Sequence, residues 1–475
     1  MLRRCVTVVA LSLLTIPLLL TVGVTPAIAQ GNGNGNGNGN GNGNGNVNGN
    51  NIFGGIRIDA QGVVTPAFAA ETTGRLNRKR LMAAAKKSLP GDLNRPAALR
   101  KVSLVRLEKA CRKYAGKADR IPNTMKYLAG LQRIDYLFVY PETGDIVIAG
   151  PADGFAPNRI GRMIGVSNGR AVLRLNDLTV ALQTLAGRRV GTIGCSIDPV
   201  PANLAALQRF AAASGRSPTN SSGARRRYHQ MARILGMQTV RIFGVPAESH
   251  FGQTLLEADY RMKMISMGRE KSRVHGLPSY LSMLRLKGNS VQRWWFAPLY
   301  DAFQQTAEGN AFALSGQRVQ LLSQEEVADA AGQRSAAAFT RLSTQRFAKL
   351  FTEKFPKLAD TSPVFAQLQG LFDLAIVAAI LKKKQLPQRV GWSMSLFLDA
   401  RAMNFRPGRA PRQVSSSVNF RRVRRGIILG LVGGVSLNPF RTIGRIKTDS
   451  SPRLQTARSR ATAKRAVSAG RWWWD

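Results

Sequence analysis

Cysteine and histidine are nearly absent from this chain, and acids are scarce beside bases: 3 Cys, 3 His and 26 Asp plus Glu stand against 69 Lys plus Arg in 475 residues. Each shortage excludes something. A cysteine-stapled secreted scaffold is ruled out, because Cys5 falls in the N-terminal leader and only Cys111 and Cys195 remain, enough for one disulfide in an oxidising compartment. No Cys-x-x-Cys or His-x-x-x-His spacing occurs, and His229, His250 and His275 are too few and scattered for a zinc site. Neither metal nor other cofactor is expected. No phosphate-loop motif is present, and no local signature of a nucleophile surrounds Cys195. Beyond the leader no apolar run reaches the twenty or so residues a bilayer needs; the nearest, LFDLAIVAAIL from Leu371 and GIILGLVGGVSL from Gly426, are too short.

What the chain does have begins with that leader. MLRRC supplies a basic start, residues 6–24 an apolar run, and Ala27-Ile28-Ala29 a small-x-small cleavage site, the signature of an export signal cut after Ala29. Export predicts residence in the periplasm, at the cell surface or in the medium. The net charge is +43, and +41 once Arg3 and Arg4 leave with the leader. Such a chain adsorbs to polyanions. For an exported protein the nearest are acidic envelope polymers or an anionic membrane surface, with a protein partner as a further option and nucleic acid disfavoured. A proteome-wide preference for Arg explains the same excess without any partner.

The pattern along the chain predicts an α+β fold: a mixed sheet-and-helix N-terminal part, then a mostly helical part, then a disordered basic tail. The boundaries fall at 1–29 for the signal peptide, 30–51 for a flexible Gly-Asn tether, 52–246 for an α/β-patterned domain, 247–400 for a mainly helical domain and 401–475 for the basic, partly disordered tail. The tether has a reach of roughly 25 Å. IDYLFVY and DIVIAG flank a Pro-Gly turn as a hairpin, and IGVSNGRAVLRL repeats the signal with Asn168-Gly169 at the bend. Asn176 or Asp177 is positioned to cap the helix that follows. TVRIFGV, RWWFAPLY and AFALSGQRVQLLS read as strands, the last bending near Gly316. SAAAFTRLSTQRFAKLFTEKF places Phe339, Leu342, Phe347, Leu350, Phe351 and Phe355 on one stripe of a helix. PVFAQLQGLFDLAIVAAILKKK is apolar all round and predicts a central buried helix, inside which Asp373 must find a partner or neutralise. GGIRID at Gly54, IGCSID at Ile193 and GGVSLN at Gly433 share a glycine, a strand and a terminal Asx; a strand ending in an Asx turn accounts for them better than a repeated cation loop does.

HFGQTLLEADYRMKMISMG (250–268) concentrates the polar groups of greatest interest. Leu255, Ala258, Met262 and Ile265 fall on one side of a helix, and Leu256, Tyr260, Met264 and Met267 on nearly the opposite side. Glu257 with Arg261 and Asp259 with Lys263 stand at i,i+4 between the two flanks. The favoured reading is a structural helix wedged between two layers. The catalytic reading makes His250, Glu257 and Asp259 the acid-base groups of an envelope polysaccharide or peptide hydrolase whose cleft is closed by Trp294 and Trp295. Arg293, Trp294 and Trp295 are core or interface residues by default and a carbohydrate-stacking site otherwise. Arg471, Trp472, Trp473 and Trp474 end a basic tail with no core of its own, which predicts exposed rings that bind a membrane interface, sugars or a partner.

FGVPAESHFGQTLLEADYRMKMISMG, GLPSYL, RWWFAPLYDAF and PVFAQLQGLFDLAIVAAIL, in this order, resemble a family of exported planctomycete-type bacterial proteins carrying a domain of unknown function. The resemblance covers about residues 54–381 and is strongest from Val240 onward. It implies no activity, cofactor or site residue. Together these features predict a non-enzymatic envelope protein that binds an acidic polymer or protein partner, with the hydrolase as the alternative.

Overall fold

The computed structural model describes residues 52–53, 55–67, 75–187, 191–214, 221–284, 291–417, 419–421, 427–428, 431–467 and 471–475. The expected leader and tether lie outside the described residues, as do parts of the basic tail.

Among the described residues seventeen strands form the two larger sheets. In chain order they are β1 (Ile52–Phe53), β2 (Ile56–Ile58), β3 (Val63–Pro66), β4 (Ala97–Ser103), β5 (Tyr136–Tyr140), β6 (Asp145–Ala152), β7 (Ile193–Pro199), β8 (Met237–Phe243), β9 (Val291–Leu299), β10 (Ala302–Gln305), β11 (Ala311–Ser315), β12 (Arg318–Ala328), β13 (Arg334–Ala336), β14 (Gln413–Ser415), β15 (Leu431–Leu437), β16 (Ile446–Thr448) and β17 (Trp473–Trp474). The larger sheet runs β1-β2-β3-β14-β8-β7-β15-β9-β12-β13, the smaller β16-β10-β11-β5-β6-β4-β17. Among the described residues nine helices have eight residues or more: α1 (Arg75–Ser88), α2 (Leu104–Cys111), α3 (Leu175–Ala186), α4 (Pro201–Ala213), α5 (Ser221–Leu235), α6 (His250–Ser266), α7 (Leu342–Thr361), α8 (Pro363–Lys383) and α9 (Arg453–Val467). The fold is α+β, as the pattern predicts. Each sheet contains strands from before residue 246, from between residues 246 and 400, and from after residue 400.

The core is centred on α8. Pro363 starts it at the first turn, where a missing N–H costs nothing, and residues from Pro363 through Leu381 are buried. At 21 residues it is long and apolar enough to cross a bilayer, yet its whole apolar window is enclosed by protein. It packs against α3, α6 and α7. Asp373, fully buried, finds its partners: its carboxylate accepts bonds from the Ile134 N–H at 3.0 Å and the Tyr300 hydroxyl at 2.9 Å, with the Arg318 Nε at 3.4 Å. Burial pushes the Asp373 carboxyl up and Arg318 opposes that shift. α6 lies between this helix layer and strands β7 and β15 of the larger sheet, which is the two-sided wedge its two apolar flanks require.

The β5–β6 hairpin appears where the turn signal puts it, with Gly144 at φ +62°. Both of its faces are apolar. Leu137, Val139, Ile146 and Ile148 join the main core, while Phe138, Tyr140, Val147 and Ala149 build a second cluster with Leu454 and Ala461 of α9 and with Trp474.

Three local expectations are corrected. α7 starts only at Leu342, because residues 334–336 pair with β12 instead; Phe339 and Leu342 stay exposed while Phe347, Phe351 and Phe355 are buried. Asn168-Gly169 does turn, but Met163–Gly165 pairs with Phe155–Pro157 and meets the returning chain only at the single bridge of Ile164 with Ala171. Cys111 and Cys195 are free and buried, not bridged, since one sits on α2 and the other on β7 of the larger sheet. Two of the three glycine-bearing repeats end on an Asx that accepts nearby backbone N–H groups, whereas Asp198 of the second pairs with Arg334. Asp59 forms the Asx turn, accepting from the N–H groups of Gln61 and Val63, and Asn438 accepts from that of Arg441. The glycines of β15 serve close approach: a Cβ on Gly433 would stand 1.7 Å from the Trp294 carbonyl oxygen, and one on Gly434 1.9 Å from that of Cys195.

Candidate functional site

α6 begins at Ser249, whose hydroxyl accepts the Gly252 N–H at 3.1 Å while donating to the Pro246 carbonyl. Because both flanks of this helix are covered, its charged residues must be satisfied inside the protein. Glu257 does not pair with Arg261, one turn away. It receives Arg162 instead, from a loop whose shape is fixed by Asn158 accepting the Ile160 and Arg162 N–H groups. The Arg162 Nη2 lies 2.7 Å from both Glu257 oxygens, and the two side chains are each 4% exposed. Arg261 turns outward to Glu270. Asp259 and Lys263 do pair at 2.7 Å, but within the interior rather than along a seam.

His250 faces neither Glu257 nor Asp259. Its Nδ1 lies 2.9 Å from each oxygen of Asp177, on α3, so the proton belongs on that nitrogen. Its Nε2 then accepts from the side-chain amide of Gln367, on α8, at 3.4 Å. The amide oxygen of Gln367 in turn accepts from the Arg162 Nη1. A directional chain results: Asp177, His250, Gln367, Arg162, Glu257, drawn from three helices and one loop, every member under a tenth exposed. Burial, then the nearby Arg174, holds the His250 pKa below its usual value, with Asp177 only partly opposing them.

An aspartate orienting a histidine is half of the arrangement that activates a serine or cysteine nucleophile. Here the ring's other nitrogen meets the Gln367 amide, in the place a nucleophile would need. The hollow lined by Asp177, Gln367, Leu173 and Leu374 has about 10 Å³ for a guest, the room of one water molecule. A second hollow of the same size is bordered by Gln238, Tyr260, Lys263, Ser415 and Ser417. The catalytic grouping of His250, Glu257 and Asp259 around an open cleft is therefore not what the fold builds: His250 is drawn to Asp177, Glu257 to Arg162 and Asp259 to Lys263. Among the described residues no cluster of three potential metal ligands occurs. Both thiols are held protonated by burial: Cys111, beside Glu108, is raised to about 12, and Cys195, near Asp259, well above its usual value.

The aromatic candidates divide. Trp294 is fully buried, edge-on to Tyr280 and Phe347, so it closes no cleft and stacks on no sugar. Trp295 is half-buried beneath the guanidinium of Arg293, which also bonds Glu326 at 3.0 Å. Trp473 and Trp474, expected to be exposed, are 9% and 3% exposed, because they extend the smaller sheet as β17 beside β4. Trp472 is half-buried against the main core and Arg471 is exposed, paired with Asp92 at 2.8 Å.

Sequence reasoning missed Arg162, Asp177 and Gln367. A glutamine inside an otherwise apolar buried helix was the available signal, since such a group has to be bonded.

Residues 195–280 match a family described as a protein of unknown function, DUF1598. The matched stretch runs from β7 through α6 and holds Cys195, His250, Glu257, Asp259 and Lys263, whereas Arg162, Asp177 and Gln367 lie outside it. No curated protein matches the chain, and no solved structure does.

Proposed function

We propose that this is an exported cell-envelope protein, in keeping with its resemblance to exported planctomycete-type proteins, that acts by binding an acidic polymer through its cationic exterior and not by catalysis. The observation that carries this reading is the partition of charge. Among the described residues nine carboxylates are buried, including Glu108, Asp145, Glu257, Asp259, Glu325 and Asp373, against six Lys and Arg, so their exposed part is more cationic than the described residues taken together. α1 concentrates the excess. It is anchored inward by Leu81, Ala85 and Leu89 and presents Arg78, Lys79, Arg80, Lys86 and Lys87 to solvent. The helix contains no acid, and among the described residues none of those five cations has an ion-pair partner. A rigid row of unpaired cations binds a polyanion by releasing its counterions.

The test is a titration of residues 30–475 against polygalacturonate, with neutral dextran as control. Affinity is expected to fall at least tenfold between 50 and 200 mM salt, and changing Lys79, Arg80, Lys86 and Lys87 together to Gln is expected to weaken binding and flatten its salt dependence. Absent or salt-insensitive binding, or undiminished binding by the quadruple variant, would overturn the proposal.

A further inference from the structure

The segment Arg471-Trp472-Trp473-Trp474-Asp475 is held against one edge of the smaller sheet by both backbone and side-chain contacts. The backbone of β17 pairs antiparallel with the edge of β4, Trp473 opposite Val102 and Trp474 opposite Lys101, and the Ser103 N–H donates to the Trp472 carbonyl at 2.8 Å. Arg106 donates to the Arg471 carbonyl at 3.0 Å. Because alternate residues of a strand face opposite ways, Trp473 and Asp475 share one side and Trp474 takes the other.

On the first side stands Arg100, whose side chain is fully buried. Its Nε and Nη2 grip the two Asp475 oxygens at 2.7 and 3.0 Å, its Nη1 donates to the Ala129 carbonyl at 2.8 Å, and its plane lies 5.2 Å from the Trp473 ring. On the other side the Trp474 ring fills the apolar cluster over Phe138, Val147 and Ala149, its N–H donating to the Ala461 carbonyl at 3.2 Å.

Without these five residues β4 would present unpaired backbone groups, a lipophilic hollow and a buried guanidinium lacking its carboxylate. That is the composition of a strand-addition site: a ladder for affinity, a pocket for an aromatic ring, a cation for an acid two residues from the partner ring. We propose that the β4 edge is a docking site for an extended Trp-Trp-Asp segment, and that its occupant in self-association is the Arg471–Asp475 segment of a second copy. Every copy carries both the receptor and the ligand, so exchange between two copies reproduces each contact described above and conserves the burial of Arg100. This inference does not depend on the polyanion reading.

The experiment uses two full-chain variants. Arg100→Met disables the receptor and keeps the segment; Trp473→Ser with Trp474→Ser and Asp475→Asn disables the segment and keeps the receptor. Each is checked for folding by circular dichroism and a melting transition. Mixed at high concentration after a mild denaturant pulse, the two are expected to form a 1:1 heterodimer by light scattering, while each alone stays monomeric. A fluorescein-labelled Arg-Trp-Trp-Trp-Asp peptide is expected to saturate the segment-disabled chain, with at least tenfold weaker binding when Arg100→Met is added. Failure of the peptide to saturate the folded chain overturns the site. Peptide binding without a heterodimer assigns the groove to another protein's strand and overturns the second copy as occupant. Should the segment-disabled chain not fold, wild type and Arg100→Met are compared directly: concentration-dependent dimers after the pulse are expected only for wild type, and equal behaviour of the two overturns the proposal.

Discussion

Replacing Glu257 by leucine tests the interior chain most directly. The Arg162 guanidinium would stay in place, 4% exposed, with its carboxylate gone and only the Gln367 oxygen left to it. Removing one partner of a buried ion pair costs about 3–5 kcal/mol, because the remaining charge is dehydrated without compensation. Against a domain stability of roughly 5–15 kcal/mol, that is a large loss. Arg162→Met is expected to cost a similar amount by stranding Glu257. Combining the two changes replaces the pair with apolar groups of comparable size, which is often neutral, but deprives the Gln367 oxygen of its donor at a cost of about 1–3 kcal/mol. The double variant should thus be no less stable than either single one, with a coupling of at least about 3 kcal/mol. Guanidinium unfolding followed by circular dichroism and tryptophan fluorescence measures this, provided the two transitions coincide. Single losses below about 1 kcal/mol, or a double loss equal to the sum of the singles, would refute the claim that this chain of groups is a structural unit.

Two further outcomes follow from the buried titrating groups. His250 has a folded pKa held below its unfolded value, so the unfolded chain takes up a proton that the native ring refuses, and stability present above about pH 6.5 is lost as pH falls below it. The unfolding midpoint of the wild type should drop more steeply from pH 7.5 to 5.5 than that of His250→Gln; parallel profiles would sink the assignment. Cys111 and Cys195 should resist a thiol reagent at pH 8 in the native protein and yield two equivalents from residues 30–475 after unfolding. Fast native labelling, or no thiol released on unfolding, would contradict the buried, unbridged state.

Local pattern carried much of this fold. The all-round apolar helix around Asp373, the two flanks of α6 and the hairpin of β5 and β6 were legible because each depends on residues a few positions apart. The pairing of Glu257 was not. An i,i+4 pair is worth only about 0.2–0.5 kcal/mol, and once α6 is enclosed, Arg162 from 95 residues earlier outbids Arg261, which reaches Glu270 at the surface. Asp177 looked like a cap and became the partner of His250 for the same reason. The closing tryptophans misled in another way: the tail has no core of its own, but Phe138, Val147 and Ala149 supply one from the far side of the sequence.

β15 lies between β7 and β9, antiparallel to one and parallel to the other. A ribosome delivers residues 431–437 only after both neighbours have been made, so the facing edges of β7 and β9 stay unjoined until that late strand arrives. Contacts this distant in sequence make assembly slow and leave those edges open to adventitious partners.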